Sequence, residues 1–309
     1  MLRNKLRKSN FSISKIGLGT VQFGLDYGFT KKKTQEEVNS ILKVATENNI
    51  NLIDTAREYG DSEKKIGIFM ENYDNDFLVA TKIQLMDDLN NLNHEKIKKH
   101  IYSSVNNSLD DLKLDKLPIL QLHQSNKLLY SNEDFWNVIH DLKKDKLIDI
   151  FGVSVYEIEE TKFILKHFSD YIDFFQIPYN IFDRRFDEIQ TLLNKTSVDV
   201  ISRSTFLKGI IPCPIDKVPN SLEGLKPYKY KLNVISKELD IELAQLALIF
   251  IYYNDFLAST VLGVDSAKEL QFNVNSLDNF EKDILYDINF DDLEVKNLNL
   301  IDPRKWNDF

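Results

Sequence analysis

The chain has 309 residues, 43% of them hydrophobic and 28% charged, with a formal net charge of −9 and a pI near 5.2. That balance argues against a general nucleic-acid or anionic-membrane surface, and the single cysteine, Cys213, excludes an internal disulfide and leaves no zinc-ligand pattern. No apolar run approaches the ~20 residues that cross a bilayer, and the basic N-terminus (Arg3, Lys5, Arg7, Lys8) has no apolar stretch behind it, so neither a span nor a signal peptide is expected and the cytoplasm is the default location.

In chain order, Lys15–Leu18 reads as a short strand ending in Gly19-Thr20, and Thr34 caps a helix carrying Val38, Ile41, Leu42 and Ala45 at helical spacing. Asn51–Asp54 is the next strand and Ser62–Met70 the next helix. Phe77–Lys82 is continuously apolar, as buried parallel strands are. Glu95–Leu112 sets Ile97, Ile101, Val105 and Leu109 four apart, an amphipathic helix. Strands at Ile119–His123, Asp149–Val153, Tyr171–Gln176, Val198–Ser202 and Thr260–Leu262 then alternate with helices. Those helices are expected at Phe135–Leu142, Ile158–Phe168, Phe186–Leu193, Tyr228–Leu239, Glu242–Tyr253 and Ser266–Leu277. The tail after Asp278 is acidic and irregular, with short helical turns expected.

Eight strands alternating with helices predict a parallel sheet with crossover helices, and eight units in this length predict one (β/α)8 TIM barrel. A doubly wound open sheet is the main competitor. No linker or low-complexity stretch divides the chain, so residues 1–309 read as one domain. Gly17, Gly19 and Gly24 superficially form a dinucleotide-binding glycine run, but the third glycine is wrongly spaced and no helix is expected directly after it; a tight turn leaving the first strand is the better reading.

In a barrel, function sits at the carboxyl ends of the strands and in the loops after them. Asp54 ends the second strand with Tyr59 in its loop, Lys82 ends the third and His123 the fourth; Ser154, Gln176 and Arg203-Ser204 end the next three. Reducing a carbonyl needs a hydride donor and a proton donor. Tyrosine is a weak acid, with a reference pKa of roughly 10; a neighbouring ammonium favours the tyrosinate and lowers that value. A carboxylate would hold the lysine, and a histidine would orient the carbonyl. A lone strand-end Asp or Lys is commonly a structural partner, but four compatible groups on three successive strand ends favour function. His94, His100, His140 and His167 fall in or beside predicted helices and read as solvated or capping groups.

Over essentially its full length the chain resembles the aldo-keto reductase family. The matching stretches are Ile16–Gly24, Asn51–Gly67 (NLIDTAREYGDSEKKIG), Val79–Lys82, Leu120–His123, Phe151–Tyr156, Phe175–Asn180 and Leu262–Leu270. The resemblance implies a catalytic tetrad of Asp54, Tyr59, Lys82 and His123, and NADPH, or NADH, lying extended across the barrel mouth. It implies no metal. It further implies that Ser154 and Gln176 hold the nicotinamide carboxamide, that Gly19, Thr20, Val21 and Asp54 lie near its ribose, and that Ser204, Thr205, Phe206 and Leu207 meet the pyrophosphate. Gly263 to Asn273 is expected around the adenosine, with Ser266 and Lys268 near a 2′-phosphate and Asn273 near the adenine.

This chain departs from the family pattern at Val155, where many members have asparagine, and at Arg203, which replaces an aromatic residue that stacks on the nicotinamide. A guanidinium plane can stack too, but it brings a charge. Glu269 and Phe272 stand where some members place other cofactor contacts, which weakens the preference for NADPH over NADH. Gly152–Tyr156 and Ile201–Gly209 resemble bacterial members associated with sugar and surface-polysaccharide metabolism. The expected activity is therefore reduction of an aldehyde or ketone, including a sugar or keto-sugar. A Schiff-base lyase using Lys82 and a cofactor-binding regulatory protein with little turnover are the alternatives. Specificity is expected from the loops after Gly24 (Tyr27, Phe29), after His123 and within Pro212–Pro227, and from the tail with Trp306. The expected partner is a small-molecule carbonyl substrate, and the patterns carry no signal for oligomeric state.

Overall fold

The eight expected strands close on themselves in the computed structural model, which describes residues 1–26, 31–86, 93–278, 280 and 282–306. An antiparallel hairpin, β1 (Arg3–Lys5) and β2 (Ser12–Ser14), comes first. The barrel strands are β3 (Ile16–Gly19), β4 (Leu52–Asp54), β5 (Leu78–Ile83), β6 (Leu117–Leu122), β7 (Ile148–Ser154), β8 (Phe174–Pro178), β9 (Asp199–Arg203) and β10 (Ser259–Gly263). They are parallel and hydrogen-bonded in sequence order, with β10 closing onto β3. The helices are α1 (Val21–Gly24), α2 (Gln35–Glu47), α3 (Ser62–Asn72), α4 (His94–Leu112), α5 (Lys127–Tyr130), α6 (Glu133–Lys144), α7 (Ile158–Phe168), α8 (Gln190–Thr196), α9 (Lys226–Glu238), α10 (Leu243–Tyr252), α11 (Ala267–Asp278) and α12 (Leu298–Ile301). No helix among the described residues is long and apolar enough to cross a membrane.

The period of two along each strand sorts side chains between two cores. Ile53, Val79, Leu120, Phe151 and Phe175 face the helices, whereas Leu52, Ala80, Ile119, Ile150, Phe174, Ile201 and Val261 pack together inside the barrel. Gly152 makes room for one of these: a Cβ there would lie 2.2 Å from the Phe174 ring. The hairpin supplies Leu6 and Ile13 to the same inner cluster. It thereby closes the amino end of the barrel, where the sequence suggests only a basic arm. The interior is apolar at this floor and turns polar toward the other mouth, where Asp54, Lys82, Gln121 and Gln176 are all buried.

Two further elements differ from expectation. A one-turn helix, α1, occupies the end of the glycine run where only a tight turn is expected, while no helix follows Gly24 directly; four residues are too few to show a period. The helix expected over Phe186–Leu193 is a 3-10 turn, Arg185–Ile189, that passes into α8. The tail does form short helical turns, at Lys282–Asp287, Asp291–Leu293 and Pro303–Lys305 besides α12. Trp306 is 9% exposed, with its indole N–H donating to the Asn299 carbonyl at 3.1 Å; Tyr27 and Phe29 lie outside the described residues.

Candidate active site

Asp54 is the last residue of β4, on the inner face because Leu52 two residues before it is. Its Oδ2 accepts from Lys82 Nζ at 2.8 Å, and its Oδ1 accepts from Gln121 Nε2 at 2.9 Å and Gln176 Nε2 at 2.8 Å. Four strands thus converge on one carboxylate. Lys82 Nζ also donates to the Thr55 carbonyl at 2.8 Å, and the side chain is fully buried. Burial alone pulls the Lys82 pKa down, but Asp54 and Tyr59 outweigh it and hold it above its ordinary value. Gln121 was not singled out in the sequence, though it stands two residues before His123 and must share its face.

Tyr59 lies in the loop between β4 and α3, and that loop is seated on the turn after β3. A Cβ on Gly24 would come 1.7 Å from the Tyr59 carbonyl oxygen, and Gly60 adopts φ +57°, where a Cβ would lie 2.5 Å from the Gly24 carbonyl oxygen. Thr20 Oγ1 donates to the Asp54 carbonyl at 3.0 Å, and the Ser62 hydroxyl stands 2.9 Å from Thr20 Oγ1 and receives that of Thr55 at 3.0 Å. These buried hydroxyls tie the ends of β3 and β4 to the start of α3. Thr20 therefore bears on the site through the tyrosine loop.

Lys82 Nζ lies 5.1 Å from the Tyr59 ring centroid, and the His123 ring meets Tyr59 edge-on, at 5.7 Å between centroids and 85° between planes. Burial pushes the Tyr59 pKa up, and the pull of Lys82 in the other direction only partly offsets it. The expected lowering is thus outweighed: Tyr59 keeps its proton at neutral pH. His123 is pushed down to about 4, by burial and then by Lys82, so its imidazole is neutral. The four groups therefore stand as one carboxylate–ammonium pair, one phenol and one neutral imidazole.

Behind Lys82 is a second polar layer. Thr81, facing outward, donates to Glu63 Oε1 at 2.5 Å, and Glu63 on α3 pairs with Arg57, which also reaches Asp111 at 2.6 Å. Lys65 on the same helix donates to the Phe23 and Lys33 carbonyls at 2.8 and 2.7 Å, anchoring α3 to the segment around α1.

The remaining expected site residues are distributed around the same end of the barrel. Ser154 is buried at the end of β7, whereas Gln176 is buried in the middle of β8, which runs on to Pro178 instead of ending at Gln176 as expected. Ser204, Leu207 and Lys208 all have positive φ (67°, 48° and 51°), a concentration of strain in the loop leaving β9 of the kind found at functional sites. Within that loop Thr205 bonds Thr260 at 3.1 Å, Leu207 is buried and Phe206 is partly so. At the far side, a Cβ on Gly263 would touch Gln22. Ser266 accepts from the Glu269 amide at 3.2 Å, and Glu269 accepts from that of Asp265 at 2.7 Å, so Glu269 is committed to the start of α11 while Lys268 is exposed. Among the described residues, four buried atoms around this mouth have no hydrogen-bond partner: Gln22 Oε1, Gln121 Oε1, His123 Nδ1 and Asn273 Nδ2.

A sequence model of the Aldo/keto reductase family matches residues 15–285. The "Uncharacterized oxidoreductase YqkF" of Bacillus subtilis is 26% identical over 289 residues, covering 89% of this chain and 91% of the relative. Among solved structures, the aldo-keto reductase AKR11C1 from Bacillus halodurans in its holo form superposes with a TM-score of 0.74 at 22% identity, over 95% of this chain and 94% of that one. The glycerol dehydrogenase AKR11B4 from Gluconobacter oxydans also gives 0.74, at 18% identity, over 97% and 96%.

Proposed function

This chain belongs to the aldo/keto reductase family, oxidoreductases that reduce carbonyl groups with NAD(P)H, and from that premise we propose that it reduces an aldehyde or ketone with Tyr59 as proton donor. The supporting observation is the Asp54–Lys82 pair, 2.8 Å apart, with its ammonium against the Tyr59 ring and His123 at that ring's edge. The proposed substrate is a sugar or keto-sugar, and the proposed unit is one domain spanning the chain.

The partnerless atoms of Gln22, His123 and Asn273 suit a polar ligand extended over the mouth, so the residues present fit the nicotinamide cofactor. We assign its binding to Gly19, Thr20, Val21, Asp54, Ser154, Gln176, Arg203, Ser204, Thr205, Phe206, Leu207, Gly263, Ser266, Lys268 and Asn273, with NADPH or NADH both admitted. Gln176 has given its amide N–H to Asp54, so it offers the carboxamide its oxygen. When bound, the cofactor supplies the hydride. Tyr59 Oη transfers its proton to the carbonyl oxygen as negative charge develops there. Lys82, kept protonated by Asp54, stabilises the tyrosinate left behind. Neutral His123 donates a ring N–H to the carbonyl and fixes its direction.

The same pairing speaks against a Schiff-base lyase: an ammonium fully buried against a carboxylate is a poor imine-forming nucleophile. Borohydride treatment with a carbonyl substrate is expected to leave Lys82 unmodified. The reductase reading is tested by NADPH and NADH oxidation with a panel of aldehydes and keto-sugars; a wild-type protein that binds neither nucleotide would overturn it.

A further inference from the structure

Arg203 is the last residue of β9, two after the inward-facing Ile201, so it too points into the mouth. Its guanidinium carbon lies 4.0 Å from the Tyr156 ring centroid, and its Nη2 donates to the Val155 carbonyl at 3.4 Å. Val155 and Tyr156 follow β7, while β8 stands between β7 and β9. The arginine side chain therefore crosses the carboxyl end of β8, the strand whose Gln176 binds Asp54.

Its charge is unanswered. Arg304 in the tail lies over the same ring at 3.6 Å, and two guanidinium carbons so close to one centroid must take opposite faces. Arg304 is neutralised by Asp302 and, at 2.9 Å, by Glu157. Asp54 is matched by Lys82. Among the described residues no carboxylate lies within ion-pairing distance of Arg203. Arg203 thus brings to the mouth a cation with no carboxylate in contact, clamped on an aromatic plane with its guanidinium edge free to take the two oxygens of an anion.

We propose that Arg203 is a specificity residue that binds a carboxylate or phosphate carried by the carbonyl substrate, with Tyr156 and Arg304 holding its plane. This rests on the reductase reading above. Phosphates of the cofactor offer the same chemistry, so the test separates the two sources.

The experiment compares succinic semialdehyde with butanal, and glyceraldehyde 3-phosphate with glyceraldehyde, in the wild type, R203Q and R203K. Turnover of the uncharged aldehydes by the wild type checks the reductase reading independently. R203Q is expected to lose about 10- to 100-fold more in kcat/KM on the anionic member of each pair than on the neutral member, mainly through KM. R203K should recover part of that selectivity, and any change in the cofactor Kd from fluorescence titration should be smaller than the change in selectivity. Equal losses on both members would overturn the proposal. So would a raised cofactor Kd with selectivity intact, which would give Arg203 to the cofactor. If the wild type turns over neither member, the reductase reading fails. Calorimetric titration with succinic semialdehyde still decides the inference: binding weakened in R203Q supports it, and equal binding rejects it.

Discussion

Gln176 donates from Nε2 to Asp54 Oδ1 at 2.8 Å, reaching from β8 to β4 across the mouth of the barrel rather than along the sheet. Gln121 meets the same oxygen from β6 at 2.9 Å. These two amides hold the carboxylate that holds Lys82. Replacing Gln176 by Leu removes a bond to a charged acceptor, at about 1.5–3 kcal/mol of stability. Urea denaturation measures the loss. Combining it with Gln121→Leu should give a non-additive result, because both bonds end on one atom.

Tyr59→Phe keeps the ring that meets His123 and Lys82 but removes the proton. The rate is expected to fall about 10²- to 10⁴-fold, with cofactor affinity little changed. Single-turnover kinetics alongside nucleotide titration distinguish these. An unaltered rate removes Tyr59 as proton donor.

Lys82→Met leaves Asp54 as a buried carboxylate without its counter-ion, and truncations of this kind cost about 3–5 kcal/mol. The double change Asp54→Asn with Lys82→Met removes both charges and should restore much of that stability without restoring activity. A stability of the double variant no better than that of Lys82→Met would show that the pair is not the source of the loss.

Gly24→Ala tests the seat of the tyrosine loop. The added methyl would stand 1.7 Å from the Tyr59 carbonyl oxygen, so that loop must move. The expected result is a fall in kcat well beyond the fall in stability, seen by comparing turnover with the thermal midpoint. Gly60→Ala adds a left-handed strain of roughly 1–2 kcal/mol at φ +57° to a clash with the Gly24 carbonyl.

His123 has a folded-state pKa of about 4 against 6.5 ordinarily. Between those values the unfolded chain takes up a proton that the folded chain refuses. The stability linked to this residue is therefore full above about pH 6.5 and declines as the pH falls toward 4. His123→Gln should flatten that part of the stability profile, read from urea midpoints at neutral and mildly acidic pH. A wild-type profile that stays level over this window would contradict the neutral, half-buried imidazole.

Much of this molecule is legible in the sequence because barrel strands leave local marks. FLVATK and ILQLH are largely apolar runs ending in a titratable residue, and the period of two then fixes that Asp54, Lys82 and His123 share the inner face. The same rule was available for Gln121, two residues before His123. The burial of Leu6 was not readable: it is a lone apolar residue among basic and polar ones, and only the barrel floor, which it shares with Ile13, explains it. α1 is too short for any period. The direction of the Tyr59 pKa was also out of reach, since the ammonium beside it was foreseeable but the depth of burial was not.

By itself, the sequence determined which chemical groups stand at the strand ends and in what order, because strand, turn and helix signals are local. Only the tertiary structure decided which of them touch. Gln176 and Asp54 are 122 residues apart in the chain and meet because the sheet closes on itself. Arg203 reaches Tyr156 past an intervening strand for the same reason, while Gly24 and Gly60 seat the tyrosine by backbone contact that no side-chain pattern records. Closure brings distant strand ends within hydrogen-bonding distance, and that distance turns a set of residues into a site.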